Sequence, residues 1–262
     1  GKVSKIDTMI DTTGYKQTAV VIDVEGDEWV ETIDRSAALV RDFTMTREQI
    51  IERCQQCGLV GLGGATFPTH IKMTVPAGKK CDLVIINGVE CEPYLTSDHR
   101  LMLEKGAEVL TGAAIIMKAL GVEKVVVGIE ANKPDAISHL TELAGDFKGI
   151  TIQPLKVKYP QGGEKQLIKA CTGREVPSGG LPVDVGVVVQ NVGTAFAVYE
   201  AVQKNKPLME RVVTVTGSSV KNPGNFLVRI GTPVTALIEA AGGMPDDTGK
   251  VVNGGPMMGK AL

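Results

Sequence analysis

The stretch Asp82-Leu-Val-Ile-Ile-Asn-Gly-Val-Glu-Cys-Glu-Pro93 decides the fold. It begins as an apolar run of strand length and turns at once into a loop carrying one amide and two carboxylates. A short apolar run bounded by turn residues reads as a buried strand. Similar runs recur at residues 125–129, 150–155 and 185–190. Between and after them lie helical patterns at 101–120, 136–143, 163–171 and 194–202. Strands alternating with helices of this length predict βαβ units around a mostly parallel sheet, an α/β fold. Local signals punctuate the pattern. Thr46 opens a helix with Gln49 as its capping-box partner, and Gly58 ends it. Ser97 or Asp98 is expected to cap the long 101–120 helix and Gly121 to close it, and Pro134 stands where the next helix starts.

The flanks read differently. Residues 2–6 and 18–25 are strand-like, and Gly26-Asp27 is expected to turn the second run toward residues 28–31. The first strand is already under way at residue 1, as expected of a piece of a longer protein. Beyond Arg211 come strand runs at 212–217 and 226–230, separated by Asn222-Pro-Gly-Asn225, then a helix at 234–241. The expected organisation is a partial β segment (1–44), an α/β domain (45–208) and a small α+β domain (209–262), with the last boundary near residues 207–210.

Composition excludes several classes. The 262 residues carry a net charge of −2 and 22% charged side chains, which fits neither a disordered tail nor a basic nucleic-acid binder. No window approaches the ~18 uninterrupted apolar residues of a membrane span. No signal-peptide or lipidation pattern is visible. Five irregularly spaced cysteines make no disulfide framework and point to a reducing compartment. Glycine, at 31 residues, is well above the usual ~7%, and it gathers in loops rather than repeats.

Four of those loops are polar as well as glycine-rich: Gly61-Leu-Gly-Gly-Ala-Thr66, Asn87-Gly-Val-Glu-Cys-Glu-Pro93, Tyr159-Pro-Gln-Gly-Gly-Glu164 and Gln190-Asn-Val-Gly-Thr194. The first is not a dinucleotide fingerprint. It follows a helix rather than a strand, and Thr66 holds the place of the third glycine. No Gly-Lys-Ser or Gly-Lys-Thr phosphate loop occurs. One such loop alone is punctuation. Four in one α/β domain predict a pocket wall where backbone approaches a flat ligand closely.

In order, these loops, with the first extended to Lys72, resemble the flavin and NADH motifs of the NADH-binding flavoprotein subunit of respiratory complex I. The chain is more similar still to the C subunit family (RnfC) of the Rnf electron-transport complex, through Gly173-Arg-Glu-Val-Pro-Ser-Gly-Gly-Leu-Pro182 and Gly254-Gly-Pro-Met-Met-Gly259. The resemblance covers nearly the whole chain. It implies a Rossmann-like flavoprotein domain, a β-grasp (SLBB) domain after it and the remnant of a β barrel-sandwich domain before it. It implies noncovalent FMN with NAD(H) stacked on it. By position, Gly61, Gly63, Gly64, Lys72, Asn87, Glu90, Cys91, Tyr159, Gly162, Gly163, Asn191 and Thr194 fall at the flavin. Phe67, Lys72, Glu92 and Glu164 fall near the nicotinamide nucleotide. Val89 stands where complex I has an acidic residue, and Gly163 where it has a second glutamate.

The resemblance also implies two 4Fe–4S clusters in a segment beyond residue 262. No C-x-x-C-x-x-C-x-x-x-C-P run occurs in residues 1–262. Cys54 and Cys57 read as structural, Cys81 and Cys171 as buried small residues, and Cys91 as a wall residue of a site loop. His70, His99 and His139 lack ligand spacing, and Met257-Met258 reads as packing. The implied function is the NADH/FMN module of an Rnf-type ion-translocating ferredoxin:NAD+ oxidoreductase. It would sit peripherally on the cytoplasmic face of the bacterial inner membrane, held by other Rnf subunits and meeting ferredoxin indirectly. Two alternatives remain open on the residues: a cobalamin reductase of propanediol utilisation, and a flavin-free scaffold.

Overall fold

In the computed structural model, which describes residues 1–10 and 15–262, the chain opens as an antiparallel hairpin of β1 (Lys2–Ile10) and β2 (Lys16–Asp23). Residues 28–31 form no strand, so the partner of β2 is β1 and not the segment that follows it. An extended stretch then leads to α1 (Arg47–Gln56), α2 (Thr69–Lys72), β3 (Leu83–Asn87), α3 (Ser97–Glu104), α4 (Gly106–Leu120), β4 (Val125–Glu130), α5 (Pro134–Ala144), β5 (Ile150–Leu155), α6 (Glu164–Thr172), β6 (Val187–Asn191) and α7 (Val192–Gln203). The C-terminal unit holds β7 (Glu210–Val215), β8 (Gly224–Arg229), α8 (Val234–Ala240), and the short antiparallel pair β9 (Val252–Asn253) and β10 (Lys260–Ala261).

The central sheet has four strands in the order β5-β4-β3-β6, all parallel. Both faces are covered, which is why its strands read as continuous apolar runs. Along β3, Val84 and Ile86 join the core beneath α1, α4 and α7, while Ile85 joins a second cluster with Leu167 and Ile168 of α6. That alternation is the two-residue period of a strand.

Helix α1 starts as expected. Thr46 Oγ1 accepts from the Gln49 N–H, and Gln49 Oε1 accepts from the Thr46 N–H. The expected 101–120 helix is two helices, broken at Lys105, and its N-cap residue is Thr96 rather than Ser97 or Asp98. The break falls beside Gly106, where a Cβ would lie 2.8 Å from Leu140 Cδ2 of α5. Helices α4 and α7 pack more closely still: a Cβ on Gly112 would fall 1.9 Å from the Ala195 carbonyl oxygen. Cys54 and Cys57 are buried, whereas Cys81 and Cys171, expected inside, are only half-buried at the sheet's margin. Met257 and Met258 do not pack into a core; they are 56% and 75% exposed.

The strand order fixes where a ligand belongs. The chain lays β3, β4 and β5 outward on one side, then returns to the other side of β3 with β6. The direction of winding therefore reverses between β3 and β6. In open α/β sheets ligands bind at the carboxyl ends of the strands flanking such a reversal. Asn87 and Asn191, the last residues of β3 and β6, pair in register at that point.

Candidate functional site

The four glycine-rich loops meet at this reversal. Loop 61–66 is closed by a hydrogen bond from the Gly61 N–H to the Phe67 carbonyl (2.8 Å). It leans on the start of α7: the Leu62 N–H donates to Thr194 Oγ1 (2.9 Å). At Gly63 a Cβ would meet Asn191 Cβ at 3.3 Å, a tight contact that glycine avoids. Gly64 adopts φ +126°, a conformation open to glycine alone.

The loop after β3 is tied to the third loop. Asn87 Nδ2 donates to the Gly162 carbonyl (2.9 Å), and the Gly162 N–H donates to Cys91 Sγ (3.4 Å). The side-chain oxygen of Asn87 accepts from the Val89 N–H (3.1 Å). The third loop is tied back to the first. Lys72 Nζ, on α2, lies 2.6 Å from Glu164 Oε1 at the start of α6 and donates to the Val189 carbonyl of β6 (2.8 Å). Asn191 closes the ring: its Oδ1 accepts from the Gly193 N–H (2.8 Å) and caps α7, while its Nδ2 donates to Asp98 Oδ2 (2.6 Å).

Each expected site residue has a place in or beside this ring, although their duties differ. Phe67 and Tyr159 stand at the rim, 46% and 40% exposed. Glu90 turns its carboxylate onto the N-terminus of α3, accepting from the Asp98 and His99 N–H groups (2.7 and 3.0 Å) and from Ser97 Oγ. It supplies the cap that Thr96, with no side-chain hydrogen bond, does not. Glu92 accepts from the Met257 and Met258 N–H groups of the C-terminal unit. Gly163 is the N-cap of α6, where a Cβ would crowd Gln166 Oε1 at 2.6 Å. Val89 is wholly buried with Ile85, Leu155 and Leu167, so its place is the core rather than the pocket.

Three residues in this region were not singled out as site residues by the sequence. Asp98 is raised to about 7, first by burial and then by the neighbouring Glu90 charge; Asn191, Arg211 and Lys133 pull the other way. Lys133, itself buried, donates to the Val89 carbonyl (2.8 Å) beside Glu130, whose Oε1 accepts from the Lys158 N–H. Gln190, next to Asn191, buries its Nε2 without a hydrogen-bond partner among the described residues. Asp98 looked like a helix cap, and Lys133 sits in an ordinary Asn-Lys-Pro turn, so neither announced its partner.

The arrangement suits a planar, anionic cofactor such as FMN. At Gly64 the loop backbone faces open space, Gln190 buries an amide with no protein acceptor, and the N-termini of α6 and α7 offer positive potential beside the Lys72–Glu164 pair. Among the described residues no three His, Cys, Asp or Glu side chains are placed to hold a metal ion, and no helix is long and apolar enough to cross a membrane.

Comparison with known proteins agrees with this architecture. The profile of the Nuo51 FMN-binding domain matches residues 54–200, and that of the SLBB domain matches residues 212–261. The C subunit of the proton-translocating ferredoxin:NAD(+) oxidoreductase complex of Clostridium ljungdahlii is 50% identical over 250 residues, covering 94% of this chain and 53% of the relative. The C subunit of the Na(+)-translocating ferredoxin:NAD(+) oxidoreductase complex of Acetobacterium woodii is 45% identical, covering 99% of this chain and 58% of the relative. The chain thus spans about half the length of these relatives. Among solved structures, an NAD+-reducing [NiFe]-hydrogenase in the H2-reduced state shares the fold with a TM-score of 0.65 at 23% identity, over 79% of this chain and 41% of that one. The chain belongs to the Nuo51 FMN-binding domain family and carries an SLBB domain on its C-terminal side.

Proposed function

We propose that this chain is the NADH- and FMN-binding module of an Rnf-type, ion-translocating ferredoxin:NAD+ oxidoreductase. The observation that carries the reading is the closed ring of four polar loops at the β3/β6 reversal, anchored by Asn87, Lys72 and Asn191. The names of the 45–50% identical relatives support the wider assignment. When bound, FMN would supply the acceptance of a hydride from NADH and the onward release of electrons.

The chain's own residues do the rest. Glycines 61, 63, 64 and 162 admit the cofactor against backbone. Asn87, Asn191 and Thr194 fix the loops, and Cys91 lines the wall as a half-buried thiol. Lys72 offsets the phosphate or the charge of the reduced ring. Phe67 presents an aromatic face to the nicotinamide nucleotide, and Glu164 and Glu92 accept from its hydroxyl or carboxamide donors. Tyr159 closes the rim, and Glu90 and Gly163 hold the helices whose ends face the pocket. The module extends over 45–208, with an N-terminal β segment at 1–44 and the SLBB unit at 209–262.

In this reading two 4Fe–4S clusters outside residues 1–262 would take the electrons. Other subunits of the complex, with ferredoxin reached through them, would hold the module peripherally on the cytoplasmic face of the membrane. Anaerobic titration of FMN-reconstituted protein with NADH tests the reading. Bleaching of the flavin absorbance at one NADH per FMN is expected; an unchanged spectrum would show that the pocket is a scaffold without the chemistry.

A further inference from the structure

The turn at residues 254–259 is a sequence motif that the flavin pocket leaves unused, and the structure attaches it to Glu92 beside the pocket. Glu92 Oε1 accepts hydrogen bonds from the Met257 N–H (2.7 Å) and the Met258 N–H (3.2 Å), across some 165 residues of sequence. The fit is tight. At Gly255, with φ +96°, a Cβ would lie 2.6 Å from both Cγ and Oε1 of Glu92. At Gly259 a Cβ would lie 2.2 Å from the Gly255 carbonyl oxygen. A side chain at Gly255 would be strained by the positive φ and would have to push Glu92 aside, and one at Gly259 would strike backbone. Desolvation first, and then the Glu92 and Cys91 charges, raise the Tyr159 phenol above its usual range. The methionines held there point to no core and stay exposed.

We infer that the turn at 254–259 is a wall of the nicotinamide-nucleotide site, contributed by the SLBB unit and fixed in place by Glu92. This rests on the nucleotide reading proposed above and deepens it. Besides its place at the nucleotide, Glu92 positions the turn: its Oε1 accepts from two of the turn's backbone amides. The ligand chemistry is that of a flat heteroaromatic ring. Unbranched thioether side chains adapt to such a face and make favourable sulfur–aromatic contacts. The small C-terminal unit then has a part in the site itself, beyond docking against the flavin domain.

The test uses the complete protein loaded with FMN and 1,4,5,6-tetrahydro-NAD, which cannot give up a hydride. Hydrogen exchange reports the turn, and calorimetry reports binding of the analogue. In wild type the Met257 and Met258 amides should exchange slowly. Glu92→Gln keeps an acceptor and should retain most of that protection. Gly255→Ala should speed exchange at both amides at least tenfold and weaken the analogue about tenfold, with FMN affinity unchanged. The pair Met257→Ala and Met258→Ala should weaken the analogue about threefold while the amides stay protected. Wild-type analogue affinity in Gly255→Ala and in the methionine pair would overturn the turn's role and leave the nucleotide site standing. Failure of wild-type protein to bind the analogue would overturn the nucleotide reading and this inference together.

Discussion

Replacing Asp98 by asparagine exchanges one oxygen for an amide nitrogen in the most crowded part of the site. The replacement keeps a carbonyl to accept from Asn191 Nδ2, as Asp98 Oδ2 now does at 2.6 Å. What it removes is a charge. The Asp98 carboxyl titrates at about 7 in the folded chain against an ordinary value of 3.8, because burial and the Glu90 carboxylate disfavour its ionised form. A folded-state value above the unfolded one means that the native state holds the proton more tightly. Stability from this group is therefore full below pH 3.8, falls as pH rises toward 7, and is flat above that. Some three pH units at ~1.4 kcal/mol each give about 4 kcal/mol of lost stability at pH 8. That net value already includes the Asn191 hydrogen bond, which favours the charged form. Asp98→Asn should thus match wild type at pH 4 and exceed it by about 4 kcal/mol at pH 8. Urea unfolding followed by far-UV circular dichroism at pH 4, 6 and 8 measures the gap. A difference that does not change with pH, or a variant less stable than wild type at pH 8, would refute the assignment of a strained carboxyl beside Asn191.

Gly112→Ala should lower stability by about 3 kcal/mol, visible in the thermal midpoint, because the added carbon meets the Ala195 carbonyl at 1.9 Å and backbone cannot swing aside. Cys54 is fully buried and its thiol is pushed up to about 12 by burial; Cys57 is raised for the same reason. Both should therefore resist a thiol reagent at pH 8 in native protein and react in denaturant. Mass mapping of the labelled cysteines checks this.

Much of the architecture was legible because burial on both faces writes a plain pattern. The runs at 82–87 and 125–129 have nowhere to place polar residues, so they announce a parallel sheet, and Thr46 with Gln49 writes out a helix start in two residues. The ring of loops was legible for a similar reason: glycine next to amide and carboxylate, directly after buried strands, suits a binding wall better than a simple turn. What stayed hidden depends on contacts between residues distant in sequence. Whether β6 would lie beside β3 or beyond β5 is not written in either strand, yet that choice creates the reversal where Asn87 meets Asn191. Ser97 or Asp98 looked like the cap of this helix. That duty falls to Glu90, which the chain brings back onto α3 from seven to nine residues away. The break at Lys105 falls where α5 comes close to Gly106, an approach that no helical periodicity reports. Residues 28–31 are expected to pair with β2, but they form no strand and β1 pairs with β2 instead.

The central claim is that the ring of loops holds FMN, and quenching of flavin fluorescence on addition of apoprotein tests it most directly. Wild-type protein should bind FMN at one per chain. Lys72→Met should weaken that binding at least tenfold, since it removes the ammonium that joins Glu164 to the Val189 carbonyl. Saturable, stoichiometric quenching lost in Lys72→Met is the predicted result; no quenching by correctly folded wild-type protein, or equal affinity in both, would contradict the account.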